Sequence, residues 1–224
     1  MLGTPVREVR VAQDGVANGR VAGGRVEGVV DDGGFTPYDE VLVTTAPAIL
    51  SRLAPGLPAD YRARLESIEY LANVCLVMQL DRSLSDTYWL NVGDPTIPFT
   101  GVIEHTNFQR SEDYGGARLA YLSRYLDPDD PYYAMDADAL LAAYEPHLAR
   151  MFRGFDRSWV QRAWAWRERY TQPVITRGYS RLKPPYRTPV DGLWLSCMAQ
   201  VYPEDRGMNY AVASGQRVAQ EMLA

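Results

Sequence analysis

The alternation of apolar and polar residues predicts β structure over the first 45 residues. A valine-rich segment at 6–11 precedes a turn at Asp14-Gly15, and a second one at 26–30 ends in the turn residues 31–34. The run from Glu40 to Thr45 is continuous and rich in β-branched residues. Such a run is typical of a strand that is buried on both faces in a parallel sheet. Pro47 then opens a short helix over 48–53.

The middle of the chain alternates between predicted strands and helices. After the linker-like residues 55–58, the pattern predicts a helix at 60–67 and strands at 70–80, 88–92, 100–105 and 118–126. The breaker at 127–131 is followed by Asp136, which is a good N-cap for a helix that reaches about Phe152. Pro146 lies inside that helix, and we expect a kink or a break there. Residues 159–168 alternate as a strand does.

The C-terminal segment predicts one strand, a loop and one helix. Residues 192–196 form a short apolar run, 199–206 a loop, and 207–223 a helical pattern. The expected packing face of this helix consists of apolar and small residues: Ala211, Val212, Gly215, Val218, Ala219 and Met222. Taken together, the patterns predict the α+β class, with mixed strands and flanking helices.

Composition excludes several classes of function. A formal net charge of -5 without a run of Lys and Arg argues against binding to nucleic acid. Two cysteines are too few for a disulfide framework, and this low number suits a reducing cytoplasm. Two histidines are too few for a histidine-rich metal site. No apolar stretch approaches the roughly 20 residues of a membrane helix, and the first residues do not have the pattern of a signal peptide.

The start of the last helix is the strongest chemical signal in the chain. A helix N-terminus offers unpaired N–H groups and a partial positive charge, which bind anions and polar carbonyl edges. Gly207 at that start lets a ligand approach the backbone closely. An ordinary β–α unit without a ligand explains the same pattern equally well.

The order of residues in this helix resembles that of a known family. Residues 207–219 read Gly-Met-Asn-Tyr-Ala-Val-Ala-Ser-Gly-Gln-Arg-Val-Ala. Flavin-containing amine oxidases and their relatives, the protoporphyrinogen oxidases, phytoene desaturases and UDP-galactopyranose mutases, end in a similar Gly-x-x-x-Ala-x-x-Ser-Gly-x-x-x-Ala pattern. The resemblance implies that Gly207, Met208 and Asn209 meet the pyrimidine edge of the flavin in FAD, with Ser196 as a further cofactor contact.

Other segments extend the resemblance over nearly the whole chain. Val26–Val29 followed by Asp39–Pro47 is similar to the middle segment of the family, and 170–173 followed by Gly178-Tyr179 resembles its return from the substrate domain. One departure is Cys197-Met198, where the family commonly has Gly-Asp. The segment 202–206 resembles members that act on sugar nucleotides. By this resemblance, residues 1–50 and 176–224 belong to an FAD-binding domain and residues 51–175 form a substrate domain.

One part of the family pattern does not occur in the sequence. The family begins with a βαβ unit that carries Gly-x-Gly-x-x-Gly and holds the pyrophosphate, and this fingerprint is absent from the 224 residues. We therefore expect a fragment or one half of a split enzyme, colourless when purified, that pairs with an FAD-binding partner segment or self-associates. The alternatives are a non-catalytic binding module and a non-redox, mutase-like enzyme.

Four further residues are candidates for contacts with a small-molecule substrate. His105, on a predicted strand, could face a substrate pocket, or it could be a hydrogen-bonded sheet histidine. Tyr121 and Arg124, on the next strand, could bind an anionic substrate, or they could pair on the sheet surface. Tyr179 belongs to the segment that returns from the substrate domain. No residue is identified as catalytic, and no metal site is expected.

Overall fold

The computed structural model describes residues 3–12 and 24–224. The turn predicted at Asp14-Gly15 lies outside the described residues. The strands are β1 (Glu8–Ala12), β2 (Arg25–Asp31), β3 (Gly34–Pro37), β4 (Val41–Val43), β5 (Tyr70–Leu80), β6 (Trp89–Asn91), β7 (Gly101–Glu104), β8 (Arg118–Leu126), β9 (Val160–Pro173) and β10 (Leu193–Leu195). The helices are α1 (Pro47–Leu53), α2 (Ala59–Glu66), α3 (Pro131–Ala134), α4 (Ala137–Met151), α5 (Tyr179–Leu182) and α6 (Met208–Met222). The predicted α+β class is confirmed.

The chain divides into two compact units. Unit 1 consists of Met1–Glu69 and Pro173–Ala224, and unit 2 is Tyr70–Gln172. The predicted assignment of residues 1–50 and 176–224 to a cofactor domain and of 51–175 to a substrate domain stays a prediction. No helix among the described residues is long and apolar enough to cross a membrane.

Unit 1 combines a three-stranded antiparallel sheet with a short parallel pair of strands. The antiparallel sheet has the order β1-β2-β3, and its β2–β3 turn is closed by a hydrogen bond from the Gly33 amide to the Asp31 carboxylate at 2.7 Å. In the parallel pair, β10 lies beside β4 with Trp194 opposite Leu42. The parallel pairing predicted for 40–45 is therefore confirmed. Burial of this strand on both faces was wrong, because Leu42 is exposed.

Unit 2 is built on a five-stranded sheet with the order β6-β7-β8-β5-β9. Alternate residues of β5, from Ala72 to Leu80, are buried on one face, and those from Val74 onward pack with Leu140, Tyr144 and the other apolar residues of α4 in a single core. Each large apolar side chain buried there contributes roughly 1.5–3 kcal/mol. The opposite face of the sheet carries the half-buried alternate residues.

Helix α4 continues through its proline without interruption. Asp136 accepts a hydrogen bond from the Ala139 amide at 2.9 Å and caps the helix as predicted. Of the kink or break expected at Pro146, the break was wrong, since the helix extends to Met151. Proline leaves the carbonyl four residues earlier without its usual donor. That residue, Ala142, is exposed, so solvent has access to its carbonyl.

Candidate functional site

The carboxyl end of β10 is held in place by one buried glutamine. The side-chain amide of Gln200 donates hydrogen bonds to the carbonyls of Leu195 at 2.9 Å and Pro185 at 3.1 Å. Its side-chain oxygen accepts from the Cys197 amide at 2.7 Å. Gln200 thus fixes the turn after β10 by hydrogen bonds to backbone groups on both sides. Nothing in the sequence pattern singled it out, because a polar residue in a predicted loop is expected to face water.

Ser196, the predicted cofactor contact, is tied to the last helix. Its Oγ lies 2.9 Å from Oγ of Ser214 on α6, and Ser214 in turn donates to the hydroxyl of Tyr186 at 3.1 Å. Ser196 is buried. This chain of hydroxyls connects the end of β10 with the middle of α6 and holds the two elements in register.

No side chain caps the N-terminus of α6 among the described residues. Gly207 is the N-cap residue in an extended conformation. The first turn contains no acidic residue. Met208 is 85% exposed and Asn209 is exposed as well. The amides of this turn are therefore open to an acceptor, and the helix dipole adds a partial positive charge.

Glycine is favoured at position 207 because there is little room for a Cβ atom, and not because the backbone conformation requires it. Its φ of -167° is extended backbone that any residue adopts. A Cβ atom at this position would lie 2.7 Å from Oδ1 of Asn209. Because that oxygen ends a rotatable side chain, a substituent at 207 would displace Asn209 and cover the open amides.

The predicted packing face of α6 is mostly uncovered. Val218 is buried and Met222 half-buried, whereas Val212 is 57% exposed and Ala211 and Ala219 are also exposed. A Cβ atom at Gly215 would meet nothing within 4 Å. The expectation that this face packs against the rest of the chain is confirmed at Val218 and was wrong for its exposed residues, which are Ala211, Val212, Gly215 and Ala219.

A cleft of about 640 Å³ follows another side of α6. It lies between α6 and the segment Lys183–Arg187, and its aromatic walls are Tyr186, Tyr202 and Tyr210. None of the residues predicted for the site lines it. The described residues contain no group of three or more His, Cys, Asp and Glu side chains that could hold a metal ion.

His105 of unit 2 meets a partner that the sequence did not indicate. Its Nε2 lies 2.6 Å from the hydroxyl of Tyr114, and its ring makes edge contacts with Tyr114 and Tyr121 at centroid distances of 5.2 and 5.9 Å. Burial is the main cause of the raised pKa of Tyr121. His105 and Tyr121 are thus brought together. Tyr114 was missed because it lies on a loop between β7 and β8.

Arg124 does not share a surface with Tyr121. Neighbouring residues of a strand point to opposite faces, and Arg124 lies on the core side of β8 with Leu122. Its guanidinium donates to the Pro98 carbonyl at 2.6 Å and to the Asp130 carboxylate at 2.9 Å, and it stacks over the ring of Tyr132. The structure therefore gives Arg124 a structural role, and a joint anion site with Tyr121 is not formed.

Tyr179 lies in the interior of unit 1. Its side chain is fully buried, and its hydroxyl donates to the carbonyl of Ala199 at 2.7 Å. Tyr179 presents no surface to a substrate in this arrangement. Its hydrogen bond instead supports the turn that precedes the α6 loop.

We expect both thiols to react slowly. Burial raises the pKa of Cys75 and of Cys197 to about 11. The thiolate is the reactive form, so alkylation at pH 8 should be on the order of 100-fold slower in the folded chain than in urea. Because the folded pKa values exceed the unfolded ones, the thiols stabilise the fold fully below about pH 9, and this stabilisation is lost as the pH rises towards 11. Timed alkylation with iodoacetamide, followed by mass spectrometry, measures the rates, and a fast stoichiometric phase in the folded chain would contradict the expectation.

A family model described as flavin containing amine oxidoreductase matches residues 1–223. No curated protein sequence matches the chain.

Several solved structures share the fold. An oxidoreductase from Methanosarcina mazei is 17% identical, with a TM-score of 0.68 over 98% of this chain and 49% of its own. A protein from Exiguobacterium sp. 255-15, proposed to be a protoporphyrinogen oxidase, is 15% identical, with a TM-score of 0.70 over 98% and 46%. A putrescine oxidase bound to putrescine is 19% identical, with a TM-score of 0.63 over 100% and 49%. The chain thus spans about half the length of these structures.

Proposed function

The chain belongs to the flavin containing amine oxidoreductase family, and we propose that it supplies the flavin-ring site and the substrate surface of an FAD-dependent oxidoreductase. The nucleotide end of FAD is held, in this proposal, by a dinucleotide-binding segment outside the 224 residues. Bound flavin supplies the acceptor for a hydride from a C–N or C–C bond of the substrate. The described cysteines are free, which suits a reducing cytoplasm.

The uncapped N-terminus of α6 is the observation that carries this proposal. The ring of a flavin has carbonyl oxygens and a ring nitrogen at its pyrimidine edge, and these accept hydrogen bonds. The first turn of α6 offers open amides, a glycine at the N-cap and no acidic side chain. The residues present therefore fit the polar edge of the ring. Gly207, Met208 and Asn209 would hold that edge and orient it.

The uncovered surfaces of unit 1 support a docking role. Strand β4 pairs with β10 on one side, and its other edge has no strand beside it among the described residues. The small-residue face of α6, formed by Ala211, Gly215 and Ala219, is exposed as well. An open strand edge can pair with a further strand, and a helix face of small residues lets another helix approach closely. Together they suit the docking of a β–α unit. Association between copies of the chain through the same surface is the other arrangement that we expect.

Titration with two flavins tests this proposal. The purified chain should be colourless, with no band at about 450 nm. Riboflavin has the ring and ribityl chain of FAD but no nucleotide. Since the chain contacts only the ring end, we expect FAD and riboflavin to bind with affinities within about threefold of each other. Quenching of flavin fluorescence measures both dissociation constants.

A matched pair of substitutions locates the flavin at the helix start. Asn209→Asp places a negative charge beside the flavin carbonyls and should weaken the binding of both flavins about tenfold. The acidic residue favours a helix N-terminus, so α6 stays folded. Gln216→Glu adds the same charge later in the helix, where it should have little effect. FAD binding at least 100-fold tighter than riboflavin would contradict the proposed division of the cofactor site, and absence of binding for both would favour a non-catalytic module.

A further inference from the structure

The sheet of unit 2 has one face turned away from its core, which we call the open face. Paired residues of neighbouring strands lie on the same face of a sheet. Trp89 of β6 is opposite Ile103 of β7, Ile103 is opposite Tyr121 of β8, and Tyr121 is opposite Val77 of β5. These residues form one row across four strands. The core residues occupy the other face, as Leu122 and Leu76 do.

The open face has no charged side chain on these four strands. Its positions on β5 and β8 are the odd-numbered residues from 71 to 79 and from 119 to 125, which are apolar, aromatic, thiol, hydroxyl or amide residues. The charged residues of the same strands are Glu104, Arg118 and Arg124, and their even numbers place them on the core side. Glu104 is buried there and accepts hydrogen bonds from the amides of Leu84 and Ser85.

Tryptophans mark both edges of the open face. Trp89 is on the edge strand β6 and is 55% exposed. On the other edge strand, Ala163 and Ala165 pack against the core, so Trp164 and Trp166 point to the opposite side, where Trp166 is 65% exposed. The charged residues on this side of β9, Arg162 and Glu168, flank the tryptophans. Four strand spacings separate the edges, which is roughly 19 Å.

From this charge distribution we infer that the substrate of the chain is an uncharged, largely apolar and elongated molecule, and not a polyamine. A diammonium ion would lose hydration against the four strands β5–β8 without meeting a carboxylate, because Glu168 lies beyond Trp166 on the edge strand β9, and this loss is strongly unfavourable. An apolar molecule gains about 25 cal/mol for each Å² that it removes from water. The aromatic edges offer ring faces for its two ends. That the bound molecule is a substrate rests on the proposed function, whereas the binding preference of the open face does not.

Binding of a neutral fluorophore to the whole chain tests the inference. The probe is N-phenyl-1-naphthylamine, which is uncharged at neutral pH, and putrescine is the competing cation. We expect saturable fluorescence enhancement that millimolar putrescine does not reverse. Val77→Asp, in the middle of the row, should weaken the probe at least tenfold. Trp166→Asp changes an exposed residue that the fold does not need, and it should also weaken binding. Val6→Asp is the matched control, because it adds the same charge at an exposed valine of unit 1.

Three results would overturn the inference. One is displacement of the probe by putrescine, and another is unchanged probe binding in both open-face variants. The third is a dimer that Val77→Asp dissociates, because the face would then be occupied by a second copy of the chain. Failure of the flavin titrations with retained probe binding would refute the proposed function alone. Flavin binding without selective binding of the neutral probe would refute this inference alone.

Discussion

Replacement of Tyr144 by alanine should lower the free energy of unfolding of unit 2 by about 4 kcal/mol. Tyr144 is fully buried in α4, with its ring 5.0 Å from that of Phe99 and stacked on that of Tyr132. Alanine would leave a cavity the size of an aromatic ring against the sheet. Urea denaturation followed by circular dichroism measures the loss, and a change under 1 kcal/mol would mean that this core rearranges freely.

The hydroxyl of Tyr144 makes phenylalanine an informative second variant. It is buried and has no hydrogen-bond partner among the described residues, and burial raises its pKa. An unsatisfied buried hydroxyl costs about 1–3 kcal/mol. Tyr144→Phe keeps the ring and removes that cost, so it should stabilise unit 2 by about 1 kcal/mol. Destabilisation by this variant would reveal a bound water or another partner at the hydroxyl.

Replacement of Arg64 by alanine should cost unit 1 about 3 kcal/mol. The guanidinium of this half-buried residue on α2 donates to three consecutive carbonyls, those of Arg181, Leu182 and Lys183, at 2.8–3.1 Å. Charged donors form the stronger class of hydrogen bonds, and the planar guanidinium suits several acceptors at once. Arg64→Lys should recover less than half of the stability, because its single ammonium cannot reach all three carbonyls with good geometry.

The effect of Arg64 should extend to the flavin site. The three carbonyls precede Pro184 and Pro185, whose own carbonyls accept from Gln200 at the end of β10. We therefore expect Arg64→Ala to weaken the binding of riboflavin as well as to lower the stability of unit 1. Arg7→Ala is the control, since the Arg7–Asp32 ion pair is 61% exposed on both sides and solvent screens it, so its loss should change the stability little. Equal losses of riboflavin affinity in the two variants would contradict the proposed effect of Arg64 on the flavin site.

Local patterns predicted most elements of this chain. Strand β8 coincides with the predicted segment 118–126, and Asp136 caps α4 as expected. These features depend on alternation or on a capping side chain within a few residues, so a short window of sequence contains the relevant forces. Strand β3 was missed because all four of its residues are exposed and carry no apolar alternation. Pairing with β2 is what makes this segment a strand.

The candidate site was predicted less completely than the elements. The alternation of β8 already separates Tyr121 from Arg124, so the side of each was available from the sequence. The contact of His105 with Tyr114 and the buried hydrogen bonds of Gln200 were not. Both depend on how a loop folds back on a strand, and loop conformation leaves little periodic trace in the residues.

The sequence by itself determined the α+β class, the β–α unit around 192–223 and the glycine at the start of its helix, because each follows from neighbouring residues. The tertiary structure alone decided that α6 leaves its small-residue face open, that Arg64 holds the segment before β10 and that strands β5–β8 present no charged side chain on the open face of unit 2. Those properties join residues that are far apart in the chain. Packing between distant segments determines which side chains meet, and local propensity does not.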